Sequence, residues 1–260
     1  MNNLFQILLL SILQGILEWL PVSSEGNILL VTISVFKINP SEAFRIAVSL
    51  HIGTMLSAII FYRKDLVSLL KNLFVFRMNR YLKFILISTI STGISFLPSY
   101  IFLKEILSIT SGSIITIIIG IMLFITGFLL YLTRGKMESK KDIILFDALI
   151  LGIAQGFSII PGISRSGITV STLLLRGYTS DFALKTSFIL SIPAVITIAF
   201  IESSSLINIG IDKIMLATVT TCITGLVTIR TLTYLAKRMR FEKFCILIGI
   251  LSIISGLINL

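Results

Sequence analysis

Charge is scarce in this chain: Asp, Glu, Lys and Arg make up 13% of its 260 residues, against 55% hydrophobic ones. Soluble domains carry about 25% charged and about 45–50% apolar residues. A soluble globular domain, a disordered tail and a fibrous chain are therefore excluded. Cysteine is also rare. Cys222 and Cys245 are the only two, both in apolar stretches without partner spacing. That rules out a disulfide framework or a thiolate metal pair and leaves packing residues. No Lys or Arg precedes the first apolar run, which argues against a cleaved signal peptide. Alternating strands of about ten residues, the mark of a membrane barrel, are missing. The net charge is +10, from 22 Lys and Arg against 12 Asp and Glu. With no soluble basic domain to carry it, this excess does not point to nucleic acid; it marks cytoplasmic loops.

What the chain has is apolar length. Its mean hydropathy is +1.04, and full-length apolar spans read at 41–62, 82–103, 109–133, 181–201, 211–234 and 241–259. Each is near the roughly 20 residues that cross a bilayer as helix. Two further apolar regions, 4–36 and 143–176, are interrupted midway by Pro, Gly, Ser and charge: PVSSEGN at Pro21–Asn27 and PGISRSG at Pro161–Gly167. Two short helices meeting at a polar break predict a re-entrant hairpin, because irregular backbone at membrane depth needs protein or a watery cavity around it.

The interrupted regions are related. A shift of 141 residues lays 4–26 on 145–167 without a gap, with nine of 23 positions identical. Leucine and isoleucine matches are cheap in such a chain. Gln14-Gly15 on Gln155-Gly156, Ser23 on Ser164 and Gly26 on Gly167 are not. We read an internal duplication, 1–140 and 141–260. Each half has one hairpin and three spans, an odd number of crossings. The halves should therefore insert with opposite orientation, and both breaks should lie near the midplane. The expected fold is an all-α polytopic membrane protein with an inverted-topology repeat. Charge agrees. Loops at 63–83, 134–142, 176–185 and 237–243 hold sixteen Lys and Arg, and those at 37–45, 104–105 and 202–213 hold four. The first group is cytoplasmic, and the run Arg63-Lys64, Lys71, Arg77, Arg80 forms a rim positioned to meet anionic lipid.

Ionisable residues inside a membrane are functional candidates. Glu18, Glu25 and Arg165 stand out. Gln14 and Glu18 share a helix face at i, i+4. Glu25 sits in the first break beside Ser23 and Ser24. Arg165 sits in the second between Ser164 and Ser166, with Thr169 one turn on. Across the repeat Glu18 stands opposite Ile159 and Ser24 opposite Arg165. One half has become acidic and the other basic. An arginine fork with hydroxyls and glycine amides at a helix start suits an anion, and carboxylates opposite suit a divalent cation. Together they fit a phosphate or diphosphate. A buried Glu–Arg pair with serine caps, pinning two hairpins together, would also satisfy these charges. His51, the single histidine, lies in HIGT on the first span, where packing competes with function. Arg230 reads as a snorkelling residue near Lys237, Asp147 as a helix cap or interfacial group, and Trp19 as packing or lipid contact.

At the two breaks the sequence resembles the undecaprenyl-diphosphate phosphatase family of the bacitracin-resistance type. LQGILEWLPVSSEGN is similar to its first motif, and IAQGFSIIPGISRSGIT to its second, Pro-Gly-x-Ser-Arg-Ser-Gly-x-Thr. HIGT with FYRKDL, and SFILSIPAV, extend the likeness nearly end to end. The resemblance implies six spans and two re-entrant hairpins, with a site facing the outer side. It implies Glu18 as cation ligand or proton handler and Ser24 as nucleophile or phosphate ligand; Glu25, acidic where the family's motif is not, joins Glu18 as a candidate cation ligand on the residues alone. It implies Arg165 with Ser164, Ser166 and Thr169 as the diphosphate holder and places Gln14 in the acidic motif; Gln14, Ser23, Asn27 and His51 are our further candidates for substrate contact. The cofactor implied is Mg²⁺ or Ca²⁺. The family's first motif usually ends in His; here Asn27 stands there, and an amide cannot act as nucleophile or base. A Tyr-Arg pair near the C-terminus is also absent from FEKFCILIG. These departures place the chain on a divergent, archaeal-type branch, with Glu25 or Glu18 as base for Ser24, or a metal-bound water attacking directly.

The expected function is hydrolysis of a polyprenyl diphosphate to the monophosphate and inorganic phosphate, recycling a lipid carrier of envelope glycans in the cell membrane. The expected partners are that lipid and the bilayer, with a homodimer left open. The alternative is a flippase that moves polyprenyl phosphate without hydrolysis, since inverted repeats with broken helices also build transporters.

Overall fold

The computed structural model describes residues 4–134, 142–204, 210–236 and 238–260, and among these every regular element is helical. The order is α1 (Leu4–Leu17), α2 (Ser24–Leu30) with a π-helical turn Val31–Val35, α3 (Pro40–Phe61), α4 (Arg63–Phe74), α5 (Arg80–Ile109) and α6 (Gly112–Leu132). It continues with α7 (Leu145–Gly156) and a 3₁₀ turn Phe157–Ile159, α8 (Arg165–Leu175), α9 (Ser180–Ile201), α10 (Ile211–Ala236) and α11 (Phe241–Ile258). Six of these, α3, α5, α6, α9, α10 and α11, are long and apolar enough to cross a membrane. The chain is a polytopic helical membrane protein. The boundary expected at 140/141 and Lys237 lie outside the described residues.

Helix starts follow local chemistry. Asn39 accepts from the Glu42 amide at 2.9 Å, with Pro40 in the first turn. Asn79, Ser111 and Thr179 cap α5, α6 and α9 in the same way. The two broken regions repeat one device. Ser23 Oγ accepts from the Gly26 amide at 3.2 Å and Ser164 Oγ from the Gly167 amide at 3.0 Å. The serine and glycine matches of the duplication are thus a cap and its partner. The Gln-Gly matches place a glycine where a neighbour comes close. A Cβ on Gly15 would lie 2.7 Å from Thr224 Cβ of α10, and one on Gly156 would meet Ser95 and the Phe96 amide of α5. Each broken region therefore packs tightly on a long helix of the other half. Thr228 Oγ1 donates to the Gly15 carbonyl at 2.8 Å and Ser88 Oγ to the Ala148 carbonyl at 3.0 Å, fixing the two crossings.

Two buried clusters sandwich the breaks. One centres on Leu10, Ile28, Phe44, Ile119 and Leu123, the other on Trp19, Phe84, Tyr178 and Phe188. Elsewhere α5, α6, α10 and α11 turn Ile94, Phe128, Val227 and Leu251 outward, as helices in lipid do.

Three expectations change. The segment 63–83 is not only loop: α4 is a helix with no buried residue, and its charge hid it from a search for apolar spans. The span read at 82–103 runs on to Ile109, because Lys104 does not leave the fold but reaches Glu202 Oε1 at 2.7 Å. Asp147 sits in the first turn of α7, as a helix cap would, but it is not an interfacial group. It is fully buried, accepting from Arg176 Nε at 2.7 Å and Tyr178 OH at 3.0 Å.

Candidate active site

The breaks after α1 and α7 meet. The last turn of α1 brings Glu18 next to the start of α2, and the cap Ser23 takes the left-handed conformation, φ +56°, to make that turn. Asn27 holds the bend: its Nδ2 donates to the Val22 carbonyl at 2.8 Å and the Ser23 carbonyl at 2.9 Å. The result aims the Ser24 hydroxyl at Glu18 Oε2, 2.6 Å away. Gln14 Nε2, one turn back on α1, donates to the same oxygen at 2.9 Å.

The second break supplies the cation. Arg165, at the start of α8, donates from one terminal nitrogen to Glu18 Oε1 at 2.6 Å and from the other to the Ser187 carbonyl at 2.9 Å. Its guanidinium lies 5.8 Å from the centre of the Phe188 ring. Thr169 Oγ1 donates to the Arg165 carbonyl at 2.7 Å and pairs with Ser187 Oγ at 2.7 Å. His51 arrives from α3. Its Nδ1 is 2.7 Å from the Ala47 carbonyl, which can only accept, so Nδ1 carries hydrogen; Nε2 stands 3.3 Å from Glu18 Oε2. One buried carboxylate thus gathers a serine, an amide, a guanidinium and an imidazole from four segments. Such a pair is held by its hydrogen bonds, and removing one partner would strand the other charge.

These groups open on a cavity of about 730 Å³, polar at this end and walled further on by Phe96, Val195 and Ile198. Of the residues expected from sequence, Glu18, Ser23, Ser24, Glu25, His51, Ser164, Arg165 and Ser166 line it. Glu25 does so with a buried Oε1 that has no hydrogen-bond partner. Gln14, Asn27 and Thr169 are placed behind the wall, holding Glu18, the bend and Arg165. Sequence reasoning gave no site role to Thr92, Phe96, Gln155 and Ser158, which also line the cavity. Gln155 was visible as the repeat of Gln14; it donates to Thr92 Oγ1 at 3.2 Å. Thr92 and Phe96 carry no local signal, being small-polar and aromatic residues on an apolar span. Trp19 is buried packing, edge-on to Phe188 at 5.3 Å.

The chain is similar to proteins named undecaprenyl-diphosphatase along its whole length. That of Methanococcoides burtonii is 40% identical over 265 residues, covering 98% of this chain and 99% of the relative. That of Methanothrix thermoacetophila is 36% identical, covering 95% of each. That of Haloarcula marismortui is 34% identical, covering 99% of each. Archaeal relatives are thus prominent, as the divergence at Asn27 led us to expect. The two break motifs converge on one cavity, and residues 7–254 match the family described as Bacitracin resistance protein BacA; this chain belongs to that family.

Proposed function

We infer that the protein is a membrane phosphatase that hydrolyses undecaprenyl diphosphate, or a closely similar polyprenyl diphosphate, to the monophosphate and inorganic phosphate. The carrying observation is the Ser24 hydroxyl donating at 2.6 Å to a carboxylate whose other oxygen is held by Arg165, in one cavity with an apolar extension. The diphosphate would enter at Arg165 and Ser166, displacing part of the Glu18 contact, and the first isoprene units would lie along Phe96 and Val195. Ser24 Oγ attacks the terminal phosphorus, and its proton passes to Glu18 Oε2. The bridging P–O bond breaks and polyprenyl monophosphate leaves. Water then splits the phosphoserine, and Ser24 Oγ recovers a proton. Arg165 meets the charge on the phosphoryl oxygens throughout. Asn27 is used in the bend; His51 brings the imidazole to Glu18 from another helix.

A divalent cation is part of this proposal. Among the described residues no group of three His, Cys, Asp or Glu side chains is placed to hold a metal ion. The donor set fits a shared site: Glu25 Oε1 is buried, unpartnered and on the cavity wall. Mg²⁺ or Ca²⁺ would be held by Glu25 with substrate oxygens, and by Glu18 only if it releases Ser24 or Gln14. When bound, it would neutralise phosphoryl charge.

For the architecture we propose an inverted repeat in the plasma membrane, with both broken regions re-entrant. The repeated caps, the repeated glycine contacts and the uneven spread of basic residues support it. Nothing in the site favours the flippase alternative: a carrier needs Arg165 for the anion but gives the Ser24–Glu18 contact no task. The test is phosphate release from a C55 polyprenyl diphosphate by purified protein in detergent, with Mg²⁺ or Ca²⁺ and with chelator. Metal-dependent release that Arg165→Ala and Glu18→Ala abolish is expected. No release by well-folded protein across several lipid lengths would overturn the reading.

A further inference from the structure

Behind the site, on the face that carries the basic loops, lies a second cleft of about 1260 Å³. One thickness of chain separates it from the first cavity. Over 18–21 the residues alternate: Glu18 and Leu20 line the first cavity, Trp19 and Pro21 the second. Ser166 borders both, and its hydroxyl closes the wall by donating to the Leu20 carbonyl at 3.1 Å.

The cleft is strongly basic. Arg134, just past α6, and Arg238 and Arg240, in the turn before α11, all line it. Among the described residues its one acid is Glu242, which Arg134 approaches only to 4.0 Å. Among the described residues Arg238 and Arg240 have no acidic partner. Arg238 lies over the Tyr234 ring, 4.3 Å from its centre, so its in-plane N–H groups stay available. The cleft also receives the start of α11, which has no side-chain cap. The Lys243 amide turns back to the Arg240 carbonyl at 3.3 Å, which leaves the Phe241 and Glu242 amides as donors at this end. Three guanidiniums against one carboxylate, beside an open helix start, match a tetrahedral oxyanion with more than one free oxygen.

We propose that this cleft binds a phosphate-bearing group from the basic-loop side, either the headgroup of an anionic phospholipid or free inorganic phosphate. The site is separate from the catalytic cavity and shares with it only a wall, made of Ser166 and the stretch 18–21. The floor carries its own reporter, since Trp19 is the chain's sole tryptophan. The experiment follows Trp19 emission in the purified full-length protein while inorganic phosphate or dihexanoyl phosphatidylglycerol is added. A saturable change is expected with at least one of them. It should be weakened about tenfold or more in the Arg238→Gln/Arg240→Gln variant, and kept in Arg165→Gln, which disables the catalytic cavity instead. A response to the lipid alone assigns a headgroup, and a response to inorganic phosphate assigns a free anion; either supports the proposal. No saturable change, an equal response in the double variant, or loss of the response in an Arg165→Gln protein that keeps its thermal transition overturns it. Should the double variant lose its thermal transition, Arg240→Gln carries the same comparison.

Discussion

Glu18 is engaged by more partners than any other side chain in the site, and the substitutions around it separate chemistry from stability. Ser24→Ala removes one hydroxyl and leaves the Glu18–Arg165 pair intact. Phosphate release should fall by about 10³-fold or more, with a melting temperature in detergent close to that of the parent. Glu18→Gln keeps the shape but leaves the Arg165 guanidinium without a counter-charge in an apolar interior. It should lose both activity and roughly 3–5 kcal/mol of stability, read by phosphate release and by thermal unfolding. Asn27 belongs to a different class. Its amide satisfies two carbonyls of the bend, so Asn27→Asp, which cannot donate, should cost about 1–3 kcal/mol in thermal or denaturant unfolding. The residue that occupies the family's histidine position is, here, part of the scaffold.

Between elements, the two glycine contacts set how the broken regions sit. Gly15→Ala pushes a methyl into Thr224 and the Gly225 amide; Gly156→Ala pushes one into Ser95 and the Phe96 amide. Both changes should destabilise by about 1–3 kcal/mol in detergent unfolding and reduce phosphate release, because each shifts the break that carries half of the site. Both glycines were legible in the sequence as matches of the duplication, and so were the breaks themselves. Polar and helix-breaking residues inside apolar runs are rare enough to be read without a structure. The helix α4 was not legible in that way, since its charges look like loop and only a backbone tells the two apart. Thr92, Phe96 and the cap-like role of Asn27 were hidden for another reason: they depend on which helix faces which, and no residue spacing encodes that. The Glu18–Arg165 meeting was readable as an asymmetry between the repeats and as a buried Glu–Arg pair pinning the two hairpins, and the structure pairs them at 2.6 Å; that Ser24 and Gln14 share the same carboxylate was not readable.

For the whole molecule, the proposed orientation makes a direct forecast. In a background without Cys222 and Cys245, cysteines placed at Lys37 and Glu105 should react with an impermeant thiol reagent in intact cells. Cysteines at Arg77 and Met239 should react only after the cells are opened. The reverse pattern would invert the protein in the membrane, and labelling of all four from one side would remove the inverted repeat.

Glu18 and Arg165 stand 147 positions apart in the chain and each is the other's counter-ion. The carboxylate is made first, with only the His51 imidazole of its own half as a basic group beside it until Arg165 follows. An ion left in an apolar interior without its partner is costly, so the first break should stay hydrated or shielded until the second has been made. The two breaks thus complete each other as one unit, in the order in which the chain is made.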